Sequence, residues 1–527
     1  MLSSIFSRLI ACVLLCATAQ AHALTAEQAL AMAAGDTDDR VDAVQKAVVE
    51  PSDRIEDFLK ALAADEVKVA AGKALIVRND KGFDPATGAE VPVQAEAEDI
   101  INNNRMRGEI DTALAGLALF GKDDAKRLAA AKALTREPDV GRLPLLDKAL
   151  AQETRENIKV QLQLARAATL LGSDDAAQRI AAAEALSKSA TPDTRLLLNE
   201  RVTVEEDPKV KTALQTALKG LDEQLAWGER LGAAFSGISL GSILLLVALG
   251  LAITYGLMGV INMAHGELMM IGAYATYVVQ GLFQKFLPGL FDWYLLAAVP
   301  VAFMASALMG AALERGVIRF LYGRPLETLL ATWGISLMLQ QLVRSIFGAQ
   351  NVGVENPVWM SGGVQVLGNL SLPYNRLVII GFAIAVLLGM AWLISKTRLG
   401  LFVRGVTQNR PIASCMGVNT ARVDTYAFAL GSGIAGLAGC ALSQVGNVGP
   451  DLGQGYIVDA FMVVVLGGVG QLAGTVYAAM GLGILNKFLE GWTGAVLAKI
   501  AVLVLIIIFI QKRPQGIFAM KGRSAEA

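Results

Sequence analysis

Two hydropathy patterns divide the chain. From residue 231 onward, apolar residues run in long uncharged blocks: 231–266, 268–284, 293–313, 328–343, 377–395, 425–450, 460–486 and 500–511. Crossing a bilayer takes about 20 such residues. With their edges included, the blocks predict nine spans near 233–255, 259–281, 293–314, 326–346, 375–395, 425–446, 457–469, 473–489 and 496–511. The pair over 457–489 has a second reading. Gly467, Gly468, Gly470 and Gly474 also suit a broken or re-entrant helix, so the count is eight or nine. Gly470 and Gly474 form a GxxxG pair, which lets helix backbones approach closely.

Residues 24–75 and 95–230 instead carry Ala and Leu at helical spacing. RLAAAKAL at 127–134 returns as RIAAAEAL at 179–186. Glu137-Pro138-Asp139 returns as Thr191-Pro192-Asp193, and Ile158-Lys159 as Val210-Lys211. Recurrence at a fixed period predicts stacked helical repeats of HEAT-like type. Residues 76–94 interrupt the pattern with Gly, Pro and Asp and read as a β-hairpin or loop insert.

Composition sharpens this division. The chain has 527 residues, 54% of them apolar, and a net charge of −1. Residues 24–230 hold 28 Lys+Arg and 37 Asp+Glu, and residues 231–527 hold 17 and 10. The first half reads as soluble and acidic, the second as membrane. Nothing in this balance calls for nucleic acid. Neither Gly-Lys pair (72–73, 121–122) is followed by Ser or Thr, so there is no phosphate loop and no ATPase motif. No catalytic constellation and no metal cluster is visible, and the expectation is a subunit that is not an enzyme.

Residues 1–23 read as a signal peptide. Arg8 is basic, 9–19 (LIACVLLCATA) is a short apolar core, and Ala21-His22-Ala23 has the small-x-small pattern of a cleavage site. This places residues 24–230 in the periplasm as an α-helical repeat domain, a scaffold or docking module. Residues 231–520 are the transmembrane domain, and 521–527 a short tail. After cleavage His265 is the last histidine, and Cys415 and Cys440 the last cysteines. An external N-terminal domain makes the first span run inward. The nine-span count then puts Arg315, Arg319 and Arg324, then Lys396 to Arg422, then Lys512 to Arg523 inside, as the positive-inside rule requires. The C-terminus is then cytoplasmic, in a bacterial inner membrane.

Several polar residues stand out in the apolar half. Asn262, His265 and Glu267 fall within GVINMAHGELMMIGAY at 259–274. Three roles are open to them: solute ligands, a polar network locking two spans, or loop residues at the interface. Counting along the spans puts them at a turn near the cytoplasmic face, which favours a structural or gating role. A buried Glu267 then needs a partner. Asp459 and the glycines at 467–474 mark a pathway or helix break. Glu314 and Glu327 flank a basic cluster and are expected to be solvated. Residues 396–424 form the longest polar segment between spans. Residues 401–418 of it predict a short amphipathic helix, either lying on lipid or docking a soluble partner.

At this point the motifs resemble a known family. GVINMAHGELMMIGAY, TRLG…QN…MGVN (397–400, 408–409, 416–419), AFMVVVLGGVGQLAGTV (460–476) and KRPQGIF (512–518) are similar to the permeases of branched-chain amino-acid ABC importers. They run in order across most of 231–520. Where that family has a Pro-Glu-Ala-Ala-type run, this chain has Arg410-Pro411-Ile412-Ala413, which resembles the urea-type subgroup. So do ATWGISLMLQQLVRSIFGAQN (331–351) and the extra N-terminal domain. The resemblance implies an all-α polytopic permease for urea, with a branched-chain amino acid or short amide as the alternative cargo. An ATP-independent urea channel is a further alternative. The family resemblance also implies a second homologous permease, two cytoplasmic ATPase subunits and a periplasmic substrate-binding protein, all around a subunit embedded in lipid. ATP is used by the partners, and this chain binds no cofactor. It also implies a coupling helix near 404–417 seated on the ATPase, with Arg404, Gln408, Asn409, Arg410, Ala413, Met416 and Gly417. Asn262, His265, Gly266 and Glu267 are the family signature.

Overall fold

The computed structural model describes residues 24–48, 53–78, 81–92 and 97–518. The expected signal peptide and the 521–527 tail lie outside the described residues. The chain divides into two compact units between Leu225 and Ala226.

The first unit is helical: α1 (Ala26–Ala33), α2 (Thr37–Val48), α3 (Asp53–Ala63), α4 (Asn104–Ala118), α5 (Asp124–Arg136), α6 (Leu143–Gln152), α7 (Glu156–Leu170), α8 (Ala176–Leu186), α9 (Pro192–Val204) and the start of α10 (Pro208–Met258). The sequence echo is structural. Asp123 and Asp175, 52 residues apart, cap α5 and α8 by accepting from the amides of Ala125 and Ala177, each at 2.9 Å. Ala131, Leu134, Ile158 and Leu162 are buried, and so are Ala183, Leu186, Val210 and Leu214 at the same offset. A charge pair repeats as well. Arg127 meets Glu153 at 2.8 Å and Arg179 meets Glu205 at 3.0 Å, with both carboxylates almost fully buried. One period therefore spans three helices, α5–α7 and then α8 to α10.

The insert is larger than the 76–94 expected from sequence. Five antiparallel strands run in the order β4-β3-β2-β1-β5: β1 (Val67–Ala70), β2 (Lys73–Arg78), β3 (Lys81–Phe83), β4 (Glu90–Val91) and β5 (Glu98–Asp99). The first hairpin turns on Ala71 and Gly72, both at positive φ (48° and 73°). An alanine in a left-handed turn is rare. Hence VAAGKAL reads as helix although Val67, Ala70, Leu75 and Ile76 are buried strand residues.

In the second unit, helices occupy all nine expected positions: the later part of α10, then α11 (His265–Phe286), α12 (Tyr294–Gly316), α13 (Pro325–Phe347), α14 (Tyr374–Lys396), α17 (Thr420–Ser443), α18 (Leu452–Gly467), α19 (Leu472–Thr493) and α20 (Ala495–Lys512). Six of the described helices are long and apolar enough to cross a membrane: α10, α12 with its leading 3-10 turn, α14, α17, α19 and α20. Helix α18 has 16 residues. Helices α15 (Arg398–Gln408) and α16 (Arg410–Cys415) lie between α14 and α17. A small hairpin, β6 (Gly363–Leu367) and β7 (Leu370–Pro373), precedes α14. Helices α10 and α17 form the centre, and residues 431–443 of α17 are all buried.

The repeated charge pairs set a pH dependence. Arg127, with the amides of Arg155 and Thr154, holds the Glu153 carboxyl below its ordinary value. At Glu205 burial works the other way, but the Asp207 amide, Arg201 and Arg179 outweigh it. A carboxyl depressed by folding contributes fully above its unfolded value, near 4.5, and its contribution is lost as pH falls below that through the folded value. Amide exchange over 124–204 is therefore expected to stay constant from pH 7 to 5, after correction for the intrinsic rate, and to accelerate below about 4. Glu205→Gln is expected to cost roughly tenfold in protection at pH 7 and to blunt the acid step.

Candidate functional site

The signature stretch does not sit at an interfacial turn. Helix α10 ends at Met258, Gly259 adopts φ +63°, and 260–264 turn back into the bundle. His265 Nε2 donates to the carbonyl of Val247 at 3.1 Å. Val247 is eleven residues before Met258, so at 1.5 Å per residue the return covers about 16 Å. Three other helices locate the same level. Ser306, midway along α12, donates to the Leu268 carbonyl at 2.8 Å. Ser336, midway along α13, donates to Glu267 at 2.8 Å. Gly250 packs on Gly431, midway along α17, and on the His265 ring. Helix α11 therefore begins in the middle of the bundle. The expected placement near one face is corrected, because 259–264 is an extended re-entrant segment and hydropathy does not encode its direction.

A second re-entry meets the first. After α17 ends at Ser443, residues 444–451 return inward, bridged to the preceding loop by Val448 and Val352. Helix α18 then starts with Gly453 against Gly266. A Cβ on Gly266 would overlap the Gly453 carbonyl, and one on Gly453 would overlap Gly266. The starts of α11 and α18 thus touch backbone to backbone. Gly272 on Gly436 and Gly439 on the Met269 carbonyl continue the approach of α11 and α17.

Around this junction the polar groups are only half satisfied. Asn262 Oδ1 accepts from the Ala264 amide at 3.0 Å, while its Nδ2 has no partner. Glu267 Oε1 accepts from Ser336 and from Gln340 Nε2 at 2.9 Å, while Oε2 has none. No ion pair reaches Glu267 among the described residues. Its partners are neutral, and they come from a polar stripe on α13, Thr328, Thr332, Ser336 and Gln340, all buried. That stripe recurs every fourth residue and is legible in the sequence as a periodic polar face inside an apolar span. Thr332 braces the return segment, accepting from the Met263 amide at 3.2 Å.

The glycines at 467–474 form a tight helical hairpin. Gly467 ends α18 and packs on Gly474 of α19, with Gly468 and Gly470 at positive φ in the turn. The expected GxxxG face is therefore not one, since Gly470 lies outside the helix. Instead Gly470 lies against Gly256, where a Cβ would come within 2.9 Å of it. Asp459 sits within α18, eight residues before the break at Gly467, and pairs with Lys499 of α20 at 3.5 Å.

The loop at 396–424 forms two helices, not the single amphipathic one expected over 401–418. Asn409 ends α15 and caps α16 by accepting from the Ile412 amide at 3.0 Å, and Pro411 falls in the first turn of α16. Gly417 (φ +83°) turns the chain, with the Val418 amide on the Ala413 carbonyl. Ala413 is buried, whereas Arg404, Gln408, Asn409 and Met416 are exposed, Met416 at 80%. Arg410 points inward. It pairs with buried Asp424 and lies 5.4 Å over the Tyr322 ring. The Tyr322 hydroxyl donates to Glu314 at 2.9 Å and lies 3.2 Å from the Met258 sulfur. Glu314 also accepts from Thr425 at 2.7 Å and pairs with Arg319 at 3.3 Å. Glu314 is fully buried, against the expectation of a solvated residue, because these three donors replace water. Glu327 is exposed beside Arg324, as expected.

Residues 233–511, more than half of the chain, match the family described as branched-chain amino acid transport system / permease component. The chain belongs to this family. It is 29% identical over 290 residues to the high-affinity branched-chain amino acid transport system permease protein LivH of Escherichia coli K12, covering 54% of this chain and 93% of LivH. It is 27% identical over 288 residues to BraD of Pseudomonas aeruginosa, with the same coverage. It is 30% identical over 183 residues to the autoinducer 2 import system permease protein LsrC of Salmonella paratyphi B, covering 34% of this chain and 50% of LsrC. No solved structure matches. The chain is thus a helical membrane permease, and its relatives are transport subunits, not enzymes. The family match begins at the membrane part of α10 and leaves out residues 24–232.

In this permease the contact of Gly266 with Gly453 sets a sharp expectation. Gly266→Ala forces a methyl into backbone and is expected to cost about 1–3 kcal/mol, read as a lower melting temperature of the purified protein in detergent. Gly281→Ala, also in α11 but with nothing near it, is expected to be neutral or slightly stabilising.

Proposed function

We propose that this chain is one permease subunit of an ATP-driven importer for urea, receiving solute from a periplasmic binding protein and releasing it to the cytoplasm. The observation that carries the ATP-driven reading is the loop at 396–424. It presents exposed Leu401, Phe402, Ile412 and Met416 beside Arg404 and Gln408, and Arg410 anchors it to the bundle through Asp424. An exposed apolar patch with a basic rim on a rigidly anchored pair of helices suits a groove on a soluble partner. Two ATPase subunits and a second homologous permease complete the complex. The signal peptide at 1–23, nine crossings, a periplasmic N-terminal unit and a cytoplasmic C-terminus make one consistent topology with the basic clusters inside. Residues 24–225 then serve as a HEAT-like docking module for the binding protein or the sister permease. A second reading, import of branched-chain amino acids, is favoured by the names of the relatives LivH and BraD.

Uptake of labelled urea and leucine by cells with and without the ATPase genes tests the reading. ATPase-dependent urea uptake, not competed by leucine, is the expected result. ATPase-independent uptake would sink it. Met416→Glu is expected to reduce co-purification of the ATPases and uptake together by about tenfold or more, with membrane abundance unchanged.

A further inference from the structure

At the end of the bundle away from the loop at 396–424, helices α12, α14 and α17 leave an apolar cavity of about 270 Å³ between them. Leu295 and Val299 of α12, Ile379 and Phe382 of α14 and Ala441 of α17 wall it. Helix α14 buries only Ile379, Ala383 and Met390 of its 23 residues, so it meets the bundle along a single seam. The cavity lies where that seam begins. Polar groups at its wall are already spent. Gln444 engages Tyr294 and Ser443, and Trp359 Nε1 donates to the Asp292 carbonyl at 2.8 Å. Water has little to hold it in such a place, and a space of this size left empty is costly in a packed protein.

We propose that this cavity holds one acyl chain of a phospholipid whose headgroup carries an ammonium. Its depth fits a chain from a single leaflet. Phe382, the deepest lining residue, is eight residues beyond the start of α14. At 1.5 Å per residue that is about 12 Å, against about 15 Å of hydrocarbon in each leaflet. The mouth fits a lipid as well. Trp293 and Leu296 line the cavity and are exposed, so it opens on the outside of the bundle and not into its centre. Trp293 and Trp359 flank the opening, and tryptophan is enriched at the level of lipid headgroups. Asp292 lines the same mouth. It accepts from the Val358 amide at 3.0 Å, which fixes the carboxylate, and no Lys or Arg pairs with it among the described residues. A fixed, unpaired carboxylate attracts an ammonium and repels a headgroup of net negative charge. The bound chain ties α14 to α12 and α17 across the seam, and α14 leads directly into α15 and the exposed loop. The inference needs only the membrane location of this unit and is independent of the cargo.

The test uses the purified full-length protein in mild detergent, delipidated and then given palmitoyl-oleoyl phosphatidylethanolamine or phosphatidylglycerol. Phospholipid retained per chain after washing is read by mass spectrometry, with the melting temperature alongside. The unaltered protein is expected to retain a single phosphatidylethanolamine, about fivefold in preference to phosphatidylglycerol. Val299→Phe and Val378→Phe each put a ring into the cavity. Both are expected to lower retention about tenfold, with a melting temperature no lower than that of the delipidated unaltered protein. Asp292→Asn keeps an acceptor for the Val358 amide, and is expected to hold lipid while losing the preference between the two headgroups. No lipid retained by the unaltered protein, or retention unchanged in both Phe variants, overturns the proposal. If one Phe variant fails to fold, the other decides. Equal retention of the two lipids by the unaltered protein overturns the headgroup assignment. In cells, Phe variants that lose the second permease but keep their lipid assign the mouth to that subunit and overturn the proposal too.

Discussion

Backbone contact between glycines is the constraint on which the membrane unit depends. Gly266 on Gly453, Gly250 on Gly431 and Gly272 on Gly436 each bring two main chains to a distance that a single methyl would prevent. Within lipid there is little hydrophobic drive for helices to associate, so close packing and hydrogen bonds have to hold them. These contacts let two helices start inside the bundle. An interrupted helix exposes backbone groups that hydrocarbon cannot satisfy, and they are tolerated only where protein or a cavity surrounds them. Here the surrounding protein is α10 and α17, the two most enclosed helices, together with α12 and α13.

The polar residues form two networks that adjoin. At the basic end, Glu314 gathers Arg319, Tyr322 and Thr425, and Asp424 takes Arg410 from the exposed loop. Tyr322 also touches Met258, the residue at which the return segment begins. In the middle, α13 supplies Thr332 to the return segment and Ser336 and Gln340 to Glu267. Helix α13 follows directly on the turn that holds Tyr322. The exposed loop, the α12–α13 turn and the mid-bundle junction are therefore contiguous in hydrogen bonds and contacts. A movement of α16 has a short physical route to the groups around Glu267.

Much of this was written in the sequence where charge did the writing. Uncharged blocks located nine of the eleven described helices of the membrane unit, because a charge in hydrocarbon is costly enough to exclude it from most positions. The 52-residue echo marks equivalent buried residues, whereas the Arg127–Glu153 and Arg179–Glu205 pairs emerge only from the structure. What hydropathy could not show was depth. Residues 259–264 are as apolar going back into the bundle as they would be lying at its edge. Asn262, His265 and Glu267 were therefore assigned to a face. Glu314 was misplaced for a related reason, since its partners are spread from Arg319 to Thr425, over a hundred residues away. The break at Asn409-Pro411 and the left-handed Ala71 are local features that a periodic reading averages over.

The contrast between the two networks bears on what the middle of the bundle is for. At the basic end every oxygen of Glu314 and Asp424 has a donor, as a structural network requires. At the junction Glu267 uses one oxygen and leaves the other bare, and Asn262 does the same with its amide. An unmade hydrogen bond at a buried group costs about 1–3 kcal/mol. If these residues served only to lock α11 in place, a smaller or apolar side chain would do so at lower cost. A second donor from α13 would do so too. The same fold satisfies the buried carboxylate of Glu314 completely, so the bare atoms in the middle do not reflect a limit of the scaffold.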